Sequence, residues 1–168
     1  MLSAPLAGFP LDPPAAALLT TGSADLASVA DQSAGADTSL GGAGSRGNSA
    51  YDISILRVDL NVPSGSTCLS LDFSFLSEEF PEYVGGQFND AFIAELDRTT
   101  WTTSGSQITA PDDFAFGPDG KVVSVNGVGD TAVTPAQAAG TIYDAGTAVL
   151  RASVPVTAGP HALYLSLF

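Results

Sequence analysis

The sequence predicts an all-β chain, an antiparallel β-sandwich of the jelly-roll kind, and three observations lead there. Apolar and polar residues alternate with period two over several short segments, the pattern of strands with one buried face. Turn formers such as Pro63-Ser64-Gly65, Pro118-Asp119-Gly120 and Asn126-Gly127 separate those segments. Runs of helical period are few and short. At 168 residues the chain has the length of one domain, 1–168, which can bury a core without staples.

The first strand is expected at 53–62, where Ile53 and Ile55, then Leu56, Val58, Leu60 and Val62, alternate up to the Pro63 turn. Next, Leu69, Leu71, Phe73 and Phe75 alternate with Cys68, Ser70, Asp72 and Ser74, the clearest half-buried strand in the chain. Residues 88–96 form another apolar run, entered from a loop at 81–87 whose Gly85-Gly86 permits a tight backbone path. Phe114 and Phe116 precede the Pro118 turn, and residues 121–125 make a short strand that ends at Asn126-Gly127. The last two strands fall at 147–154 and 161–168, parted by Pro155 and Gly159-Pro160. Single helical turns are expected at 15–19, 23–30 and 135–139. Residues 33–49 are Gly- and Ser-rich and read as a mobile loop. They are not a phosphate loop, since no Gly-Lys-Ser/Thr follows.

Charge narrows the function classes. Five Lys and Arg oppose eighteen Asp and Glu, a net charge of −13, which argues against nucleic acid and anionic membranes as partners. The balance suits a secreted or cell-surface protein that binds divalent cations, with acidic solubility as the plainer explanation. Cys68 is the one cysteine, so no intrachain disulfide forms, and its place in a strand reads as a buried small hydrophobe. No stretch is long and apolar enough to span a membrane. Residues 1–22 have no basic leader and are broken by Pro5, Pro10, Pro13 and Pro14, so they do not read as a signal peptide. An extracellular location then needs a leader removed beforehand or another export route.

The chemistry concentrates at 71–97. Asp72, Glu78, Glu79, Glu82, Asp90, Glu95 and Asp97 fall in this window with Asn89, interleaved with aromatics, and no Lys or Arg lies inside it. Carboxylates held against apolar neighbours are costly unless something positive pairs with them. With no local cation, a bound metal is the expected partner, and oxygen-only donors point to calcium over zinc. A Glu-Glu loop beside an Asn-Asp loop supplies four donors, Glu78, Glu79, Asn89 and Asp90, with Asp72, Glu82, Asp97 and Asp144 as lesser candidates. The competing reading makes these residues caps of loops and turns.

The run Ser77, Glu78, Glu79, Phe80, Pro81, Glu82, Tyr83, then Phe88, Asn89, Asp90 and Phe92, resembles the core pattern of the choice-of-anchor L domain, a module of bacterial surface and secreted proteins. The likeness extends to Leu19-Thr20-Thr21-Gly22, to Tyr143-Asp144 and Thr147, and to 161–168, and so covers most of the chain. It implies an extracellular module anchored by neighbouring segments, and it brings no established enzymatic activity with it. Members of that family continue past the strand at 161–168 into an acidic loop and a final strand. This chain stops at Phe168. The expectation is a fragment whose last strand is missing or comes from a partner, leaving an open apolar edge.

Other residues carry alternatives. Paired carboxylates such as Glu79 with Asp90 suit glycoside hydrolysis, but no cleft or family likeness accompanies them. His161 is the one histidine, no Gly-x-Ser-x-Gly motif accompanies it, and it reads as structural. Lys121, the one lysine, enters a strand after a turn and is a candidate for an isopeptide crosslink, against an ordinary solvated lysine. Glu82, Tyr83, Gln87 and Trp101 are the candidate ligand surface, with Trp101 as an exposed platform or a core residue. The resulting expectation is a calcium-stabilised extracellular binding or adhesion module for a protein, peptide or glycan. The alternative is a split domain whose edge at 161–168 accepts a partner β-strand, with Lys121 available for crosslinking.

Overall fold

The computed structural model describes residues 6–9, 15–30, 46–87, 89–128 and 133–168. Phe88 and most of the expected loop at 33–49 lie outside the described residues. The described strands are β1 (Ser54–Val62), β2 (Cys68–Phe73), β3 (Leu76–Ser77), β4 (Ala91–Leu96), β5 (Thr102–Ser104), β6 (Gln107–Thr109), β7 (Val123–Ser124), β8 (Val133–Thr134), β9 (Ala145–Thr147), β10 (Leu150–Pro155) and β11 (Gly159–Leu167). One helical turn, α1 (Val125–Val128), follows β7, and short 3-10 turns sit at Ala24–Leu26 and Pro135–Ala138. The expected turns at 23–30 and 135–139 are therefore present in shortened form, whereas 15–19 is not helical.

All strand pairs are antiparallel. The main sheet runs β1-β11-β4-β7, faced by the β10-β2 pair and flanked by β3-β9-β8 and the β5-β6 hairpin. Phe92, Ala94, Leu165 and Leu167 of the main sheet pack with Leu71, Phe73, Leu150 and Ala152 of the β10-β2 pair. The rings of Phe73 and Phe92 meet at 4.6 Å across that interface. On the other face of β4, Ala91 and Ile93 join a second cluster with Ala50, Trp101 and Phe168. A strand covered on both faces reads as a continuous apolar run, which explains the loss of alternation along β4.

Two expectations are corrected here. Strand β11 is not an edge: it pairs with β1 from Ser54↔Leu167 to Val62↔Gly159 and with β4 on its other side. Phe168 is buried at 4% exposure, because its ring completes the second cluster beneath Trp101. Cys68 is exposed, since it opens β2 on the face turned away from Leu69 and Leu71.

The end of the expected mobile loop is also docked. Thr103 donates its backbone N–H (3.2 Å) and its hydroxyl (2.9 Å) to the Arg46 carbonyl, and Asn48 Oδ1 accepts from Gly105 N at 2.9 Å. The partner is the β5-β6 hairpin, whose short Thr-rich strands gave no apolar alternation to read.

Candidate functional site

The acidic window folds as a compact loop. Ser77 Oγ accepts from Glu79 N at 3.0 Å, the Glu79 carbonyl accepts from Tyr83 N at 3.0 Å, and the Tyr83 carbonyl accepts from Gly86 N at 2.8 Å. Asn126 then fastens the loop, accepting from Gly85 N and donating to the Gly86 carbonyl at 3.2 Å. Its own N–H donates to Asn89 Oδ1 at 2.8 Å, while Asn89 Nδ2 donates to the Ser106 carbonyl at 3.0 Å. Asn89 is thus a brace between loop, helical turn and hairpin. Asn126 was legible only as half of an Asn-Gly turn.

Among the described residues no group of three or more His, Cys, Asp or Glu is placed as a metal cluster. Distant residues supply cations to two acids of the window. Arg151 grips Asp72 with two hydrogen bonds of 2.7 Å across the β2–β10 pair. His161 Nδ1 lies 2.8 Å from Asp97 Oδ2, and Ala162 N donates to Asp97 Oδ1 at 3.0 Å. His161 Nε2 faces the Thr157 carbonyl at 3.0 Å. Both ring nitrogens meet acceptors, which favours the imidazolium and raises the His161 pKa, chiefly through Asp97.

The remaining candidates divide by exposure. Glu82, Tyr83 and Gln87 stand in solvent, Tyr83 at 60%. Trp101 is 1% exposed and stacks on Phe168, so it is a core residue and not a surface platform. Lys121 is exposed and sits 3.2 Å from Asp119. Those are the surroundings of a solvated turn lysine.

Two acids lie deepest, Glu95, counted in the window but not among its candidate donors, and Asp113, which was not read from the sequence. Glu95 shares the face of Ala91 and Ile93 and is fully buried, with Asp113 opposite it in an isolated antiparallel bridge. Asp113 Oδ1 accepts from Ala94 N and Ala115 N at 3.0 and 2.9 Å, while Asp113 Oδ2 and Glu95 Oε2 are buried without partners. Burial, helped by the Glu95 charge and opposed by the backbone donors, pushes the Asp113 pKa up to about 6. The Thr100 hydroxyl is 2.9 Å from both Glu95 Oε1 and Asp112 Oδ2, and its single proton serves one at a time.

The other concentrated feature is a cavity of about 480 Å³ between the two sheets. Leu56, Leu165, Leu167 and Phe92 line it from the main sheet, Leu71 and Phe73 from β2. Leu6, Phe9 and residues 15–21 close over it, and it is partly open to solvent. Its polar lining gathers Thr20, Thr21, Asp72, Ser74, Asp90 and Tyr143. Tyr143 is hydrogen-bonded to Thr20, and its hydroxyl is pushed up first by burial and further by the Glu78 charge. The acidic loop therefore adjoins the polar part of an apolar cavity. The volume lies within the roughly 300–1,000 Å³ range of small-molecule sites.

Compared with family models, curated proteins and solved structures, the chain finds no match.

Proposed function

We propose that the chain is a binding module of a bacterial surface or secreted protein, and that its ligand occupies the cavity between the sheets. The observation that carries this reading is the cavity itself, an apolar space with a few convergent polar groups inside a packed sandwich. The choice-of-anchor L resemblance and the net charge of −13 support an extracellular setting. Calcium enters the proposal as a stabiliser of the acidic loop, with Glu78, Glu79, Asn89 and Asp90 as its oxygen donors.

The test is a titration with N-phenyl-1-naphthylamine, a neutral apolar fluorophore. Saturable one-to-one enhancement is expected, and Leu71→Phe and Leu165→Phe, which fill the space, should weaken it. Undiminished dye binding in a variant that melts like the parent would place the ligand elsewhere. Repeating the melt in calcium and in chelator tests the ion, and an unmoved midpoint removes it from the proposal.

Strand addition remains a second reading, relocated. Among the described residues β1 has a hydrogen-bonded neighbour on one side only, and it exposes Ile55 and Leu56. A labelled peptide carrying the β11 sequence tests it, stoichiometric binding supporting the edge and no binding removing it.

A further inference from the structure

Resting on the second reading, that the edge of β1 accepts a strand, we infer that its occupant is a second copy of this chain. The two β1 strands pair antiparallel about a two-fold axis at Val58. At nine residues β1 is as long as any strand described, and β11 holds one side of it throughout. Among the described residues no strand pairs with its other side. The segment SILRVDLNV has no Pro, Gly or Lys to blunt that side, and its two charges are of opposite sign.

The register follows from the residues. Directly opposite residues of an antiparallel pair point to the same face of the sheet. With Val58 opposite itself, Leu56 meets the second copy's Leu60 and Arg57 meets its Asp59, each contact occurring twice. Leu56, Val58, Leu60 and Val62 share one face, which carries Leu56 into the cavity lining, so the apolar face continues from copy to copy. On the opposite face Arg57 and Asp59 are exposed, and Arg57 Nε donates to Asp59 Oδ1 at 2.9 Å. The Arg57 guanidinium also sits 5.9 Å from the ring of Tyr164, its neighbour across β11. Held there, the two charges and their symmetry mates form a square of alternating sign. Moving the axis to position 57 or 59 instead sets Arg57 against itself or Asp59 against itself, and like charges directly opposite are destabilising.

The experiment is sedimentation equilibrium of the whole chain in about 0.15 M salt, which screens the overall repulsion between two chains of charge −13. A concentration-dependent equilibrium between monomer and dimer is expected. Arg57→Asp and Asp59→Arg should each weaken it by about tenfold or more, since each sets like charges opposite one another twice. The first adds two negative charges and the second removes two, so net charge alone would move them in opposite directions. Combining both substitutions should restore the parental constant, with melts showing that every variant is folded. A dimer indifferent to the variants, or one that the double variant does not rescue, overturns this pairing. A monomer at up to about 1 mM that still binds the β11 peptide overturns self-association and leaves the open edge standing. A monomer that ignores the peptide removes the edge reading as well.

Discussion

The indole of Trp101 lies nearly flat on the ring of Phe168, with centroids 4.3 Å apart and planes 13° from parallel. The Arg46 guanidinium carbon is 4.8 Å from the indole centroid, and its Nη1 donates to the Trp101 carbonyl at 3.2 Å. The last residue of the chain thus anchors the second core. Phe168→Ala should cost about 3–5 kcal/mol and lower the midpoint by roughly 10 °C. Since Trp101 is the one tryptophan, its emission should shift to the red in the native variant. An unchanged spectrum and melt would mean that the stack contributes nothing.

Buried Asp113 makes stability depend on pH. The folded Asp113 pKa of about 6 exceeds its usual 3.8, so the native state holds that proton more tightly than the unfolded chain. Its contribution is complete below about pH 4 and is lost as pH rises through 6. Asp113→Asn keeps an acceptor for Ala94 N and Ala115 N and puts an amide donor where the partnerless oxygen stood. Melts at pH 7.5 should show the variant more stable by about 1–2 kcal/mol, with the difference vanishing near pH 4. A variant less stable at both pH values would contradict the cost assigned to burying that charge.

The Asp97–His161 pair works in a different window. The Asp97 pKa is lowered, first by the Ala162 N–H and then by His161, so its contribution holds above the usual carboxylate range and fades as pH falls. The His161 pKa is raised, so its contribution is present below the usual histidine range and fades as pH climbs through the folded value. Asp97→Asn should lower the His161 midpoint, read from its ring-proton chemical shifts. No change would show that the Thr157 carbonyl alone sets it.

Exposed Cys68 should react in the native protein. One equivalent of thiol is expected to label with a maleimide under native conditions at a rate close to that in denaturant. Slow native labelling would restore the buried position that its strand pattern suggested.

Gly47 has φ of +88°, and a Cβ built there would lie 1.9 Å from the Thr103 carbonyl oxygen. Gly47→Ala should therefore cost about 1–3 kcal/mol by pushing 46–49 off the hairpin. Faster hydrogen exchange at Thr103 and Gly105 would be its local signature, and normal exchange would deny the contact.

The sequence by itself determined the strands whose neighbours are close in character along the chain. Period two in 54–62 and 68–73, and the turn former at Pro63, specify local geometry that needs no partner to be read. It also determined the charge balance and the acidic window. Tertiary structure decided what surrounds those residues. Arg151 reaches Asp72 from 79 residues away and His161 reaches Asp97 from 64, so two acids of a window without local cations find distant ones. The same folding turned Trp101 inward, placed β11 between two strands, and set Glu95 opposite Asp113. Alternation says that one face of a strand is buried but not what buries it, because cross-strand partners and inter-sheet space depend on register and packing between distant segments. For that reason the cavity lined by Leu56, Leu71, Phe92 and Leu165 had no trace in any one stretch of sequence.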